Sequence, residues 1–400
     1  MTTVLFDHPT IRENLLPFTY TRPVSEIRCG ILSISDKWKR YTKSEIRWHT
    51  QGYLQFKYPG YSLDTELVFI NGAVIPSKQL YEAINALSPK QVLVKDEMII
   101  AWNNAPEFVD YLSDGFPADL IRVQYDDELS IIENTWNIFE FNGDQIRQDF
   151  DFFISGSSEK INDPFTQVYN AENVFVEKGA VIRAAILNAE NGPIYIGKNA
   201  KINEGAIING PFALCEEASV NMGTKVRGDT TVGPHSKIGG EVSNTVIFSY
   251  SNKSHDGFLG NSVLGEWCNI GAGTNSSNLK NNYQSIKLWN YPDNRFIETG
   301  KQFCGLMMGD HAKCGINTMF NTGTVVGVGA NVFGEGFLRN FIPSFSWGGT
   351  VRGYSTFRID RFYDMTEKVM QRRNIEFDSI EREILKHVFE TSSIHRHWER

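Results

Sequence analysis

The stretch Lys253-Ser254-His255-Asp256-Gly257-Phe258-Leu259-Gly260 is followed by Asn269-Ile270-Gly271-Ala272-Gly273-Thr274 and then by Ser277-Asn278-Leu279-Lys280. An imidazole, two carboxamides and a glycine-flanked backbone are the parts of a group-transfer site. Histidine ionises near neutrality, so it can take a proton from a nucleophile at ordinary pH. Backbone N–H groups around Ala272-Gly273-Thr274 can hold an oxyanion, and the missing Cβ of glycine lets an extended ligand lie close. An isolated imidazole in a polar bend is more often a solvated side chain. Its setting decides.

That setting is a six-residue rhythm. Ile196, Ile202, Ile208, Leu214, Val220, Val226, Val232 and Ile238 stand six apart without a break. On an α-helix a six-residue step turns 240°, which would scatter these side chains over three faces. A straight strand through all of them would run roughly 140 Å at about 3.3 Å per residue. The chain must therefore coil, with each hexad forming one short side, which is the pattern of a hexapeptide solenoid. Val176 and Ile182 precede the run, Val246, Asn252, Phe258, Leu264 and Ile270 continue it out of phase, and Met308, Cys314, Phe320, Val326 and Val332 form a last block. With Asn252, Ile270 and Val226 inward, the odd offsets place His255, Asn269 and Arg227 outward. His235 is expected one coil from His255, with Gly273 on its other side.

Residues 1–160 mix strand-like runs, such as Leu67–Ile70 and Gln91–Val94, with helical stretches such as Gln79–Leu87, and so read as an α/β domain. The solenoid is expected over 166–340. A C-terminal extension over 350–400 carries amphipathic helices at Ile359–Arg373 and Ile375–Glu390. A net charge of -8 argues against nucleic acid as a partner. The five cysteines form no Cys-x-x-Cys pair and read as reduced thiols. No apolar run reaches the length of about eighteen residues that a membrane-spanning helix needs, and the cytoplasm is the expected compartment.

The motif around His255 resembles the acetyltransferase half of the bifunctional glucosamine-1-phosphate acetyltransferase / N-acetylglucosamine-1-phosphate uridylyltransferase family. That family carries His-x-x-Tyr-x-Gly, then Asn-x-Gly-Ala-Gly-Thr, then an Asn-bearing loop, at nearly this spacing. Met308-Gly309-Asp310-His311-Ala312-Lys313-Cys314-Gly315-Ile316-Asn317 matches its archaeal members. The resemblance implies a left-handed parallel β-helix, a homotrimer, acetyl-CoA as cosubstrate and an amino-sugar phosphate as acceptor. It implies His255 as the catalytic base and Arg227, Lys253, Asn269, Asn278 and Lys280 around the sugar phosphate. Ala272, Gly273, Thr274, Gly309 and Asp310 would line coenzyme A. Phe258 stands where the family has Tyr, and the loop between Thr274 and Gly305 is longer than the family's.

The N-terminal segment Leu15-Leu16-Pro17-Phe18-Thr19-Tyr20-Thr21-Arg22-Pro23 resembles the start of sugar-1-phosphate nucleotidylyltransferases, and Trp136-Asn137-Ile138-Phe139 resembles the helix that closes that domain. This implies binding of a nucleoside triphosphate with Mg²⁺, through Arg12, Arg22, Arg28 and Lys37. The glycine-rich phosphate loop is replaced by Asp7-His8-Pro9-Thr10-Ile11-Arg12, and the metal-holding Gly-Asp falls at Asn71-Gly72-Ala73, where alanine supplies no ligand.

Two other functions use the same parts. A nucleotidylyltransferase could use the solenoid only to oligomerise, and a nonenzymatic nucleotide-sugar-binding protein would bind without turnover. A zinc carbonic anhydrase on this coil would need a histidine pair four apart, which the solenoid lacks, and no metal is expected there. His395-x-His397 reads as a frayed tail.

Overall fold

A computed structural model describes residues 2–88, 90–112 and 120–399. The chain divides into two compact units. The first comprises residues up to Ile27 and Leu32–Asn137; the second comprises Arg28–Ile31 and Ile138 onward.

In the first unit a six-stranded sheet is built from β1 (Thr2–Phe6), β2 (Glu45–His49), β3 (Leu67–Asn71), β4 (Gln91–Lys95), β5 (Met98–Asn103) and β6 (Ile121–Gln124), in the order β2-β1-β3-β5-β4-β6. The central strands β1 and β3 are parallel, with Thr2 opposite Leu67, and both are buried along their whole length. Near-continuous apolar runs such as Leu67–Ile70 are what a strand covered on both faces requires. Phe69 stacks on Trp102 at 5.0 Å and 6°, at the centre of that core. The helices of this unit are α1 (Pro9–Asn14), α2 (Ile34–Thr42) and α3 (Lys78–Asn85). Ser33 and Ser77 cap α2 and α3 by accepting the N–H of Asp36 and Leu80. The short α4 (Asn137–Glu140) stands where the two units divide.

The second unit is a parallel β-solenoid of three faces preceded by α5 (Asn142–Ile154) and followed by α6 (Ile359–Gln371) and α7 (Ser379–Thr391). All eight aliphatics of the unbroken hexad run are at most 2% exposed. The eighteen-residue stack is visible in the register: Ile202 pairs with Val220 and Val220 with Ile238 on the first face, Ile208 with Val226 on the second, and Ile196 with Leu214 and Leu214 with Val232 on the third. Each pair places a branched side chain over its equivalent one turn away, so one continuous core fills the prism.

After Ile238 the coils shorten, and the inward set differs from the expected one. Ile238 pairs with Lys253, Val226 with Val242 and Val232 with Ile247, and the next turn continues with Leu259 and Leu264. Val246 therefore faces outward beside Thr231, Phe258 faces outward beside Glu241, and Asn252 lies on the outer surface, bridged to Asn269. Lys253 takes the inward place instead. Ile270 and the block from Met308 to Val332 are inward as expected.

The shortened turns meet at a corner with left-handed backbone at His235, Tyr250, Trp267 and His311, with φ between 59° and 61°. Bulky residues adopt that region only when packing compensates. Here the rings stack in a column, His235 on Tyr250 at 4.8 Å and Tyr250 on Trp267 at 4.2 Å, with Trp267 and His311 near-parallel at 6.2 Å. His235 thus belongs to the corner entering the first face and not, as expected, to a stack with His255 at the corner leaving it. The C-terminal tail is packed too: His395 is 4% exposed, edge-on to Tyr291 at 5.2 Å.

Candidate functional site

His255 stands at the corner between the first and second faces, just after the strand Asn252–Lys253. Glycines lie on both sides of this corner because the backbones of successive turns nearly touch. A Cβ on Gly239 would meet Ser254 O at 2.2 Å, and one on Gly257, at φ +119°, would meet Thr274 O at 2.0 Å. Only glycine fits such an approach.

The corner is held from inside by Lys253. Its side chain, 1% exposed, turns into the prism and donates from Nζ to Gly239 O at 3.0 Å and His255 O at 2.5 Å. Burial lowers its pKa to about 8, with Asp256 opposing the shift. The resemblance implied a sugar-phosphate contact for Lys253. The shortened coil instead aims it at backbone carbonyls, so its role is to position the His255 backbone.

His255 itself is exposed, and its imidazole makes no hydrogen bond among the described residues. It lines a cavity of about 750 Å³ together with Asn269, Gly271, Ala272, Asn252 and Lys237. Tyr250 and Trp267, from the ring column, form another part of the wall. The end of α6 supplies a third part through Val369, Arg372 and Arg373. Arg373 approaches Asn252 Oδ1 at 3.5 Å, the outer limit of a hydrogen bond. Lys313 lies beyond, its Nζ donating to His311 O at 3.2 Å and Trp267 O at 3.3 Å; burial lowers its pKa to about 8. Four cationic side chains, Lys237, Lys313, Arg372 and Arg373, thus share one cavity with the imidazole. An anion of several charges suits such a wall.

Only part of the expected constellation gathers there. Asn269 and Ala272 line the cavity with His255. Gly273 sits one residue on, its N–H bonded to Asp256 O. Thr274 turns inward, its Oγ1 3.3 Å from Gly315 O. Gly309 and Asp310 are buried at the opposite end of the first face, where Asp310 Oδ1 accepts the Glu266 N–H at 2.9 Å; they do not line the cavity. Arg227 and Asn278 belong to the second face and its far corner. Arg227 is exposed and paired with Glu241 at 2.8 Å, while Asn278 donates to Asn261 Oδ1 at 2.8 Å. Lys280 faces a separate cavity, and its Nζ donates to Ser285 O at 2.6 Å.

The four residues expected around a nucleotide are also divided. Arg12 is 5% exposed and committed to Asp7 at 2.7 Å, Arg22 O at 3.1 Å, Thr19 O at 2.5 Å and the Tyr53 hydroxyl at 3.0 Å. Arg22 and Lys37 are 3% and 2% exposed. Arg28 belongs to the second unit, where it donates to Ile31 O. At the implied Mg²⁺ position the Asn71 amide donates to Ile99 O and accepts from the Ala73 N–H, both at 3.0 Å. A carboxylate is missing and the one polar side chain is engaged, so these residues do not fit the metal.

Sequence reasoning missed the cationic wall. Arg372 and Arg373 are legible only as the charged end of a helix, and nothing local says that the helix returns more than a hundred residues to the His255 corner.

Residues 3–158 match the family described as Sugar nucleotidyl transferase. A bifunctional sugar-1-phosphate nucleotidylyltransferase/acetyltransferase of Sulfurisphaera tokodaii is 35% identical over 144 residues, covering 36% of this chain and 35% of that protein. The bifunctional protein GlmU of Bartonella quintana is 25% identical over 303 residues, covering 70% of this chain and 56% of that protein. The chain therefore spans about a third to just over half the length of these relatives. The solved structure of the polySia specific acetyltransferase NeuO is 14% identical, with 52% of this chain and 97% of that chain covered and a TM-score of 0.29. The resemblance read from the His255 motif and the N-terminal segment is borne out: this chain is similar to bifunctional nucleotidylyltransferase/acetyltransferases and carries a match to the nucleotidyl transferase family at its N terminus.

Proposed function

We propose that this protein is an acetyl-CoA-dependent N-acetyltransferase acting on an amino-sugar phosphate, with His255 as the catalytic base. The observation that carries the reading is the exposed imidazole, without a protein partner among the described residues, at a cavity of about 750 Å³ lined by Asn269 and four cations. Its relatives are named as acetyltransferases joined to nucleotidylyltransferases, which supports the acyl chemistry.

An amino sugar is an ammonium ion near neutrality, and only the free amine attacks a thioester. His255 takes the ammonium proton, the amine nitrogen forms a bond to the acetyl carbon, and the carbon–sulfur bond breaks. The first proton passes to solvent; a second leaves the nitrogen as the tetrahedral intermediate collapses and is taken up by the departing thiolate, so an amide, a free thiol and one solvent proton result. The backbone N–H of Ala272, on the cavity wall, would serve the oxyanion. Asn269 would orient the sugar hydroxyls. The cations of the cavity would hold phosphate, either of the acceptor or of the coenzyme. Arg227 and Asn278, on the second face, would serve a ligand reaching around the corner.

The compartment in this reading is the cytoplasm, and the assembly a homotrimer. The second face offers Met319 and Phe337, which are 38% and 59% exposed and adjacent in register, for a neighbouring copy. Light scattering should return three times 45.4 kDa. For the N-terminal unit we propose retained nucleotide-sugar binding without transfer, because the phosphate loop lacks glycine and the metal position lacks a carboxylate.

The test incubates the full chain with acetyl-CoA and a panel of amino-sugar phosphates, following thiol release and the acetylated product. Turnover on one acceptor supports the reading. Binding of acceptors with no thiol released from any of them would favour a nonenzymatic binding protein. Pyrophosphate release from nucleoside triphosphate, Mg²⁺ and a sugar-1-phosphate would overturn the assignment of the first unit.

A further inference from the structure

The long loop after Asn278 contains a β-hairpin, Lys287–Asn290 against Arg295–Glu298, whose purpose the acetyl-transfer reading leaves unexplained. Trp289 of the hairpin stacks on Phe341 of the solenoid at 4.1 Å and 8°, and Phe296 stands edge-on to Trp289 at 5.3 Å. The hairpin is thereby fixed against the third face and does not hang free. Beside this stack opens a cavity of about 560 Å³, within the usual range of small-molecule sites.

Its lining is cationic and aromatic. Lys280, Lys287, Arg339 and His397 converge on it, with Trp289, Phe296 and Phe341 as the aromatic wall and Thr322 and Asn340 as polar neighbours. The acid at this end of the hairpin, Glu298, is paired with Lys287 at 3.2 Å, and that contact holds its carboxyl below the usual carboxylate range. Arg339 has no counter-ion among the described residues. The Trp289 indole nitrogen is buried and donates to nothing among them. Phe296, 41% exposed, offers an uncovered ring.

Guanidinium and ammonium groups beside an exposed ring recognise a flat ring system that carries phosphate. We propose that this hairpin cavity binds a nucleoside diphosphate, with the phosphates on Arg339, Lys287 and Lys280 and the base against Phe296. The moiety exists free and as part of coenzyme A, so uridine diphosphate, adenosine diphosphate and coenzyme A are separate arms of the test. The site does not use His255, and its existence is independent of acetyl transfer.

Calorimetric titration of the full chain tests it, using wild type, Arg339→Ala with Lys287→Ala, Phe296→Ala and His255→Ala. Arg339, Lys287 and Phe296 are exposed, so the variants should fold, and circular dichroism checks that they do. At least one of the three ligands should bind wild type, and at least tenfold more weakly the Arg339/Lys287 double variant. Phe296→Ala should weaken it severalfold, and His255→Ala should leave it within twofold. Preference for coenzyme A would identify the acyl carrier as the source; equal binding of the free diphosphates would identify a separate nucleotide. Unchanged affinity in the double variant, which would place any binding in the N-terminal unit or the His255 cavity, overturns the proposal. So does the absence of binding by all three.

Discussion

Replacing Lys253 by methionine should make the solenoid's stability respond to pH differently from wild type. The native amine is 1% exposed, and burial lowers its pKa from 10.5 to about 8. Between those two values the unfolded chain binds a proton that the folded chain does not, so unfolding takes up a proton. Stability contributed by this group therefore rises as pH climbs from about 8 towards 10.5. A shift of that size corresponds to about 3 kcal/mol at roughly 1.36 kcal/mol per pKa unit. Methionine keeps the apolar stem, leaves Gly239 O and His255 O without their donor, and does not titrate. At pH 7 the two effects oppose each other: removing a penalised ammonium helps, and orphaning two carbonyls costs roughly 1–3 kcal/mol each. At pH 10.5 only the cost remains. Urea unfolding of both proteins from pH 7 to 10.5 should show the variant losing about 3 kcal/mol relative to wild type across that range. Lys313, also shifted to about 8, and the thiols of Cys268 and Cys304, raised by burial, contribute equally to both curves and cancel in the difference. A difference that stays constant with pH to within about 0.5 kcal/mol would refute the placement of an ammonium inside the prism.

Other outcomes follow from the same geometry. Gly257→Ala would put a Cβ 2.0 Å from Thr274 O at φ +119°, and should cost more than about 2 kcal/mol in thermal unfolding while removing activity, because the His255 corner must move. Arg372→Ala with Arg373→Ala should raise KM for a phosphorylated ligand about tenfold with kcat little changed, since a lost charge-assisted contact is worth about 1.5–3 kcal/mol; steady-state kinetics read this directly. Arg12→Ala breaks a buried ion pair to Asp7 and should destabilise the first unit by about 3–5 kcal/mol, measured by its unfolding transition, whether or not nucleotide is present.

The hexads from Ile196 to Ile238 were legible because each coil there has three sides of six residues, and every inward place holds an aliphatic. Legibility ended where the coils shortened. A rule that counts sixes put Asn252 and Phe258 inside, whereas the register puts Lys253 and Leu259 there. Hydropathy could not reveal a lysine as a core residue whose amine ties two turns together. The outward placement of His255 survived that error, because a corner residue between two glycine-flanked turns is exposed in either phase. Asn269, bridged to Asn252 and Lys313 on the outer surface, was also correctly placed. The ring column escaped notice because left-handed corners are expected to carry Gly or Asn. Tyr250 and Trp267 occupy that backbone at the corner, supported by their stacking on one another. The cationic wall from α6 and the hairpin pocket depend on contacts between distant segments, and periodicity has no access to those. Arg12, Arg22 and Lys37 had the right charge for a phosphate site but are buried in the first unit, and for Arg12 the partner carboxylate, Asp7, stands in the same short segment.

The imidazole of His255 is the group on which acetyl transfer depends, and the most direct measurement compares His255→Ala with wild type on an acceptor that wild type acetylates, at saturating acetyl-CoA. Thiol release should fall by about 10²- to 10⁴-fold, the range expected for loss of a general base, with acetyl-CoA affinity within twofold of wild type. Equal rates in the two proteins would contradict the assignment of His255 as the base.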